Sequence, residues 1–401
     1  MRAANWCIVS AITVNVSANV VRDFNTLFSS HFLIVPRGKI ICKRIYRDMQ
    51  NIAIIFGGRS VEHDVSILTG LHAARHVRDD VRVYLVYIDK QNRFWVAKNL
   101  KKLRVRECHF SNGYLCVGRR RTKIDVALNC CHGGIGEGGE LAVVVGVAGV
   151  PLVGPGYESA RSMMSKVLTR KILQAAGFAQ PQIYSDIMSD TLQDIVHSVI
   201  VKPDTLGSSI GISVVKSKDE LDSAIELARS FDNSVIVEQF IEGALEVNCA
   251  AFQSNGEIIL SECEVMKKNE GLLGFDDKYL GEVPQFVRKG SGGKIAPAPI
   301  DPQLVPIFDK IKELTKRAYE LFGASGVVRC DFLVVGDEIY LNEINSVPGF
   351  LSYHLFIRAG IPYGVLIDML CREAITKHAN RRTLVTEFPS TVLEVNRLLV
   401  G

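Results

Sequence analysis

From Asn51 onward, apolar runs rich in Ile, Val and Leu alternate with stretches of helical period, and glycines punctuate the changes. NIAIIF (51–56) runs into the turn GGRSVEHDVS, a helix expected over Ile67–Val77, and the strand VRVYLVYI (81–88). VALNC (126–130), the loop HGGIGEGG (132–139), a helix over Glu140–Val147 and the short strand PLVG repeat that order. Alternation of this kind predicts an α/β fold with a largely parallel sheet and ligands at the carboxyl ends of its strands. A second segment begins near Ser159, with a helix through Lys166 to Ala176, the strand SVIVKP, the loop TLGSSIGI, a helix over Lys218–Ser230 and the strand SVIVEQF. Strands dominate from about Gly243, and a helix over Gln303–Phe322 leads to a hairpin.

That hairpin, GVVRCDFLVVGDEIYLNEINSVPG (326–349), carries an arginine, carboxylates and a carboxamide on two strands that flank the turn signal Gly336-Asp337. Alternation of side chains puts Arg329 and Asp331 on one face of their strand, and Glu343 and Asn345 on one face of theirs. A two-residue loop would set Asp331 opposite Asn342 and turn Glu343 away, whereas a three-residue loop sets Asp331 opposite Glu343. The three-residue loop is expected, because three hard oxygen donors on one face suit magnesium and nucleotide phosphates. Taken alone, the same residues could equally form a solvated hairpin face.

The 401 residues allow two or three domains, with 47% hydrophobic and 22% charged residues, as in an ordinary globular protein. A net charge of +4 and no basic run longer than Arg119-Arg120-Arg121, which reads as a solvated turn, give no reason to expect nucleic acid. No apolar stretch reaches the roughly 18 to 20 residues that cross a bilayer, so no membrane is expected. Ten cysteines, at 7, 42, 108, 116, 130, 131, 249, 263, 330 and 371, form no CxxC pair, which suggests reduced thiols in a cytoplasmic protein. Residues 1–48 show no sustained period and read as an extension, with Met49 a candidate start of the working protein. Asn15 and Asn19 interrupt the segment Trp6–Val21 that would otherwise resemble a signal core.

Other residues gain meaning from their neighbours. The loop GSSIGI (207–212) follows a strand ending in Lys202-Pro203, so free backbone N–H groups and an ammonium share one opening where phosphate could bind; the plain alternative is a turn. Lys166, in SMMSK, is either a phosphate contact or a surface lysine. Glu238 closes an apolar strand and Glu246 follows it, as contacts for an amino group or ribose hydroxyls or as exposed caps. Lys278-Tyr279 could cover a phosphate or form a surface turn. HGGIGEGG formally fits GxGxxG, with Glu158 about 20 residues beyond, which makes a nicotinamide enzyme the natural rival. Against that rival, the motif follows a later strand rather than the first, and nothing in a nicotinamide fold predicts the carboxylate hairpin. Cys130-Cys131-His132 reads as buried cysteine at a strand end rather than as a nucleophile.

In order along the chain, GGRSVEHDVS, HGGIGEGG, SMMSKVLTRK, VIVKPDTLGSSIGI, VIVEQFIEGALEVN, FDDKYL, VVRCDF and YLNEINSVPG resemble the D-alanine–D-alanine ligase family of ATP-grasp enzymes over about 300 residues. The resemblance implies three α/β domains: 49–155, 156–242 and 243–380, with a tail over 381–401 and nucleotide between the central and C-terminal domains. It implies ATP-dependent joining of two D-alanines through an acyl phosphate for peptidoglycan precursors, two Mg2+ ions that Mn2+ could replace, and a homodimer. Residue by residue, Glu62 matches the carboxylate for the first substrate's ammonium, linked through Ser208 to Tyr279; Arg329 and the Gly349 N–H match the oxyanion stabilisers. Asp331, Glu343 and Asn345 match the metal ligands, and Lys166, Lys202, Lys278 and Ser209 match phosphate contacts. Glu238 would meet the adenine amino group, Phe240 and Ile241 its edge, and Glu246 the ribose, with His132, His354 and Leu355 at the amino acids.

Three departures stand out. Gly138 replaces the aspartate of the family's HGxxGEDG. The loop before Lys278-Tyr279 is short, and His354 of FLSYHLF stands where the family's PGFTS region usually places a serine for the second substrate's carboxylate. A short form with PGSLAFYLW occurs in a ligase-like subgroup that FLSYHLF resembles. Two rivals follow: the same chemistry with D-serine, D-lactate or another acceptor, and a nucleotide-binding protein without turnover.

Overall fold

The computed structural model describes residues 49–97, 105–184, 198–266 and 304–381. The extension over 1–48, Lys278, Tyr279 and the tail from 382 lie outside the described residues.

The first segment forms a six-stranded sheet and a small three-stranded one. Its elements are β1 (Asn51–Gly57), α1 (His63–Ala74), β2 (Arg82–Ile88), β3 (Phe94–Ala97), β4 (Val105–Glu107), β5 (His109–Ser111), β6 (Tyr114–Val117), β7 (Arg120–Lys123), β8 (Val126–Asn129), α2 (Gly134–Glu137), α3 (Glu140–Val147), β9 (Leu152–Val153) and α4 (Tyr157–Met164). The large sheet runs β4-β3-β2-β1-β8-β9. Its β2, β1, β8 and β9 are parallel, as the alternation predicts, while β3 and β4 add an antiparallel edge. Ile52, Ala53, Ile54 and Ile55 of β1 are each 0% exposed, which marks a central strand covered on both faces. The arginine triplet lies at the turn into exposed β7.

Helix α1 starts at His63, four residues before the expected Ile67, and stops at Ala74 rather than Val77. Asp64 places negative charge in the first turn, where it complements the helix dipole, and the His63 ring meets the Gly58 carbonyl at 2.7 Å through Nδ1. At the other end, Arg75 and His76 donate to His72 and Ala73 and tighten the last turn. The start is therefore specified by polar contacts that apolar periodicity does not register.

The central segment contains α5 (Lys166–Ala175), β10 (Val199–Pro203), β11 (Ser213–Val215), α6 (Lys218–Arg229) and β12 (Val235–Gln239), with the antiparallel order β11-β10-β12. Leu221, Ala224, Ile225 and Ala228 of α6 pack on Val199, Val201 and Val237.

The last segment contains β13 (Leu245–Ser254), β14 (Glu257–Leu260), β15 (Glu264–Val265), α7 (Val305–Leu321), β16 (Val328–Val335), β17 (Glu338–Asn345), a 3-10 turn over Gly349–Ser352, α8 (Tyr353–Arg358) and α9 (Tyr363–Arg381). Its antiparallel sheet runs β14-β13-β16-β17, with β15 on β13. Helix α7 covers one face through Phe308, Ile311 and Ala318. Helices α8 and α9 return to the first segment, where Phe356, Leu366, Ile367 and Leu370 share one core with Ile52, Ile54, Ile67 and Leu71. This docking carries the Pro348-Gly349 turn to the carboxyl ends of β1 and β8. No single helix among the described residues is long and apolar enough to cross a membrane.

Candidate active site

The hairpin closes as neither loop count alone predicts. Val335 pairs with Glu338 across the two-residue turn Gly336-Asp337, yet Asp331 still faces Glu343, because the register shifts between Asp331 and Phe332 and leaves Asn342 as an extra residue. The expected three-residue loop is therefore corrected to a two-residue loop plus a β-bulge. The consequence is the same: Asp331 faces Glu343, and Arg329 faces Asn345. Arg329 grips the Asp331 carboxylate with two bonds of 2.6 and 2.8 Å, and the Asn345 amide adds a third at 2.9 Å. Among the described residues no group of three or more His, Cys, Asp or Glu could hold a metal ion. The Asp331 and Glu343 carboxylates and the Asn345 carboxamide share one face of the hairpin. Two carboxylates and a carboxamide are the hard oxygen donors that magnesium prefers.

One pocket gathers Glu62, His132, Glu137, Lys166, Arg329, Glu343, Asn345 and Gly349 from all three segments. Lys166 opens α5 behind its N-cap Ser165, whose hydroxyl accepts from Leu168 N–H and donates to Asp204. Its ammonium then lies 2.5 Å from the Leu206 carbonyl and 3.4 Å from Glu343, so it is not a surface lysine. Glu62, 7% exposed, sits at the N-terminus of α1 and accepts a hydrogen bond from Ser208. Ser208 and Ser209 adopt left-handed φ of 57° and 58°, which turns the GSSIGI loop over that carboxylate. Gly133, at φ +62°, leaves room below it, since a Cβ there would press on the Glu62 and Ser60 side chains.

His132 is 3% exposed, and both its nitrogens are engaged by protein. A carbonyl only accepts, so Nδ1 carries the proton and donates to Val347 at 2.6 Å, and Nε2 accepts from Thr69 Oγ1 at 2.8 Å. Burial lowers its pKa, consistent with the neutral ring. Thr69 Oγ1 also accepts from the Phe350 N–H at 3.2 Å. The imidazole thus braces both sides of the Pro348-Gly349 turn while lining the same pocket as Glu62 and Arg329. Phe350, Leu351 and Ser352 follow with φ of 51°, 55° and 48°, a left-handed run that non-glycine residues adopt only when packing imposes it.

Glu238, expected at an adenine amino group or as an exposed cap, is 0% exposed. Arg170 Nε lies 2.5 Å from one oxygen and Lys202 Nζ 2.7 Å from the other. Burial alone would raise its pKa, but these cations outweigh that and hold it at about 2. Lys202 is likewise buried, with a second contact of 3.3 Å to Asn342. Phe240 and Ile241 are half-buried beyond β12, and Glu246 lies near the start of β13, opposite Leu333.

At the expected amino-acid end, side chains engage one another. His354 Nε2 lies 3.0 Å from Glu264, whose other oxygen accepts from Arg358 at 3.0 Å. Leu355 is 0% exposed in the shared core, so its side chain is structural and not a substrate contact. At Gly138 the space next to the main chain is taken by the Glu140 carboxylate. Cys130 and Cys131 are wholly buried, as expected at a strand end.

Two residues escaped sequence reasoning. Glu137 lines the pocket, accepts from Val347 N–H at 3.2 Å, and has its pKa pushed up to about 8, first by burial and then by the Glu62 carboxylate. Its signal was a lone carboxylate among the glycines of HGGIGEGG. Arg170 is 1% exposed, and its signal was an arginine one turn beyond Lys166 and three residues before buried Leu173.

Residues 51–155 match the family model described as D-ala D-ala ligase N-terminus, and residues 171–376 match the one described as D-ala D-ala ligase C-terminus. The D-alanine–D-alanine ligase of Thermosipho africanus is 30% identical over 373 residues, spanning 86% of this chain and 99% of that protein. The D-alanine–D-alanine ligase of Sulfurovum is 33% identical over 323 residues, spanning 76% and 89%. Among solved structures, the D-alanine-D-alanine ligase from Coxiella burnetii superposes with a TM-score of 0.69 at 22% identity, over 87% of this chain and 99% of that one. The nicotinamide rival falls with these matches. This chain has the ATP-grasp fold and belongs to the D-alanine–D-alanine ligase family.

Proposed function

We propose that the protein joins two D-alanines into D-alanyl-D-alanine at the expense of ATP, for peptidoglycan precursor synthesis. The observation that carries this reading is the single pocket in which Glu62, Lys166, Arg329, Glu343, Asn345 and Gly349 converge from segments far apart in sequence. In the proposed reaction, a D-alanine carboxylate takes the terminal phosphoryl group of ATP. The amine of the second D-alanine attacks the resulting acyl phosphate, and inorganic phosphate leaves.

Glu62, oriented by Ser208, would hold the first ammonium, and Arg329 with the Gly349 N–H would carry the negative charge of the tetrahedral intermediate. Lys166 would contact the phosphates directly. Lys202 and Glu238 would shape the nucleotide cleft as a buried pair, with Phe240, Ile241 and Glu246 against the adenosine and Ser209 near the phosphates. Asp331, Glu343 and Asn345 would hold two magnesium ions, or manganese, whose chemistry is to neutralise phosphate charge. Lys278 and Tyr279 would complete the site. The proposed partition into 49–155, 156–242 and 243–380 is supported by the separate sheets of β1–β9, β10–β12 and β13–β17, with α8 and α9 packed back on the first segment.

A cytoplasmic homodimer is part of this reading, and the exposed apolar face of α3, where Val143, Val144 and Val147 are 46%, 47% and 85% exposed, supports the dimer. Light scattering should give the mass of two chains. A second reading of the acceptor turns on His354, because an imidazole paired with Glu264 differs from a serine hydroxyl in size and shape. Incubation with ATP, Mg2+ and D-alanine, alone or with D-serine or D-lactate, tests both. D-alanyl-D-alanine as the dominant product by mass supports the first reading. A mixed product as the main species would make His354 the acceptor selector, and no phosphate release with any donor would overturn both.

A further inference from the structure

The bulge at Asn342 decides which face Glu343 occupies, because a strand slipped by one residue turns every side chain over. What holds the bulge comes mainly from the central segment. Arg170 Nη1 donates to the Leu341 carbonyl at 2.6 Å and Nη2 reaches Asn342 Oδ1 at 3.4 Å, while Nε is engaged with Glu238. Lys202 Nζ meets the same Asn342 oxygen at 3.3 Å. The Leu341 N–H donates to the Ala179 carbonyl at 3.0 Å, in the turn that follows α5, and Gln180 donates to the Arg170 carbonyl at 3.0 Å. The residue before the bulge is thus tied by both of its backbone groups to α5 and the turn after it, and the bulged side chain is tied by two cations of the central segment.

Neutralising Glu238 would not require this arrangement, since Lys202 already faces that carboxylate. The guanidinium is instead a planar fork that serves three acceptors at once, which an ammonium cannot reproduce in full. We propose that Arg170 is a positioning residue that pins the Asn342 bulge and so keeps Glu343 beside Asp331. This rests on the reading of Asp331, Glu343 and Asn345 as metal ligands. It makes the metal set depend on the same helix that begins with Lys166, so the phosphate contact and the metal ligands are placed by one element.

The test is direct binding of Mn2+ in the presence of ADP, read from the loss of the free-ion paramagnetic resonance signal, with thermal midpoints measured in parallel. Arg170→Met should weaken Mn2+ binding about tenfold, the scale of a lost support behind a ligand. Arg170→Lys, which keeps a cation at Glu238 and one donor for the Leu341 carbonyl, should recover most of that loss. Asn342→Ala leaves the buried Arg170–Glu238 pair intact and should still cost several-fold. Parent-level Mn2+ binding by folded Asn342→Ala and Arg170→Met would overturn the proposal. If Arg170→Met does not fold, parent-level binding by Asn342→Ala overturns it alone. No Mn2+ binding by the parent would remove the metal reading, and this inference with it.

Discussion

Glu238 and Glu137 contradict the rule that burial alone neutralises a carboxylate. Glu238 has no exposed surface, yet its pKa is held down to about 2; Glu137 keeps some surface at the pocket, yet is pushed up to about 8. The difference lies in their neighbours. Arg170 and Lys202 each reach an oxygen of Glu238, whereas Glu137 has the Glu62 carboxylate nearby and backbone N–H donors in place of a cation. The central segment thus stores a fixed charge within its structure, while the pocket floor holds a carboxyl that gains or loses its proton near physiological pH.

The largest break in this comparison should come from Glu238→Gln, which leaves Arg170 and Lys202 buried and facing each other. Removing one partner of a buried ion pair costs about 3–5 kcal/mol, so the thermal midpoint should fall by several degrees. A midpoint unchanged from the parent would show that solvent already screens the pair. A smaller effect follows from acid. Because the folded pKa of Glu238 lies below its ordinary value of 4.5, its stabilising contribution is complete above that value and is lost as pH falls toward 2. The shift corresponds to about 3 kcal/mol, measurable as denaturant midpoints between those limits. Glu137 has the opposite sign. Its folded pKa is raised, so stability is greatest below about 4.5 and declines as pH rises to about 8. Glu137→Gln should flatten that decline, raising the midpoint at pH 8 and leaving it unaltered near pH 4; equal slopes for variant and parent would contradict the assignment.

Much of this was readable from residues because each depends on short-range pattern. The strand NIAIIF, the helix Glu140–Val147 and the shared faces of Arg329 with Asp331 and of Glu343 with Asn345 follow from periodicity. The Asn342 bulge was not readable, because nothing in the hairpin's own sequence separates an extra loop residue from an extra strand residue; the deciding contacts come from Arg170, 171 positions away from Leu341. The burial of Leu355 and the saturated hydrogen bonding of His132 were not readable for a related reason. Their side chains belong to a core and a brace that form only when α8 and α9 dock on the first sheet. Their positions in motifs suggested substrate and carried no sign of the burial and hydrogen bonds that hold them.

The central claim is that the hairpin face is the catalytic metal and phosphate site of a ligase. It is tested most directly by Glu343→Gln, which keeps the size of the side chain and removes one carboxylate. Nucleotide binding should persist, the fold should be retained by circular dichroism, and both phosphate release and dipeptide formation should fall at least about a thousandfold, the scale of a lost charge-stabilising group. A folded variant that releases phosphate at the parent rate with D-alanine would contradict the account.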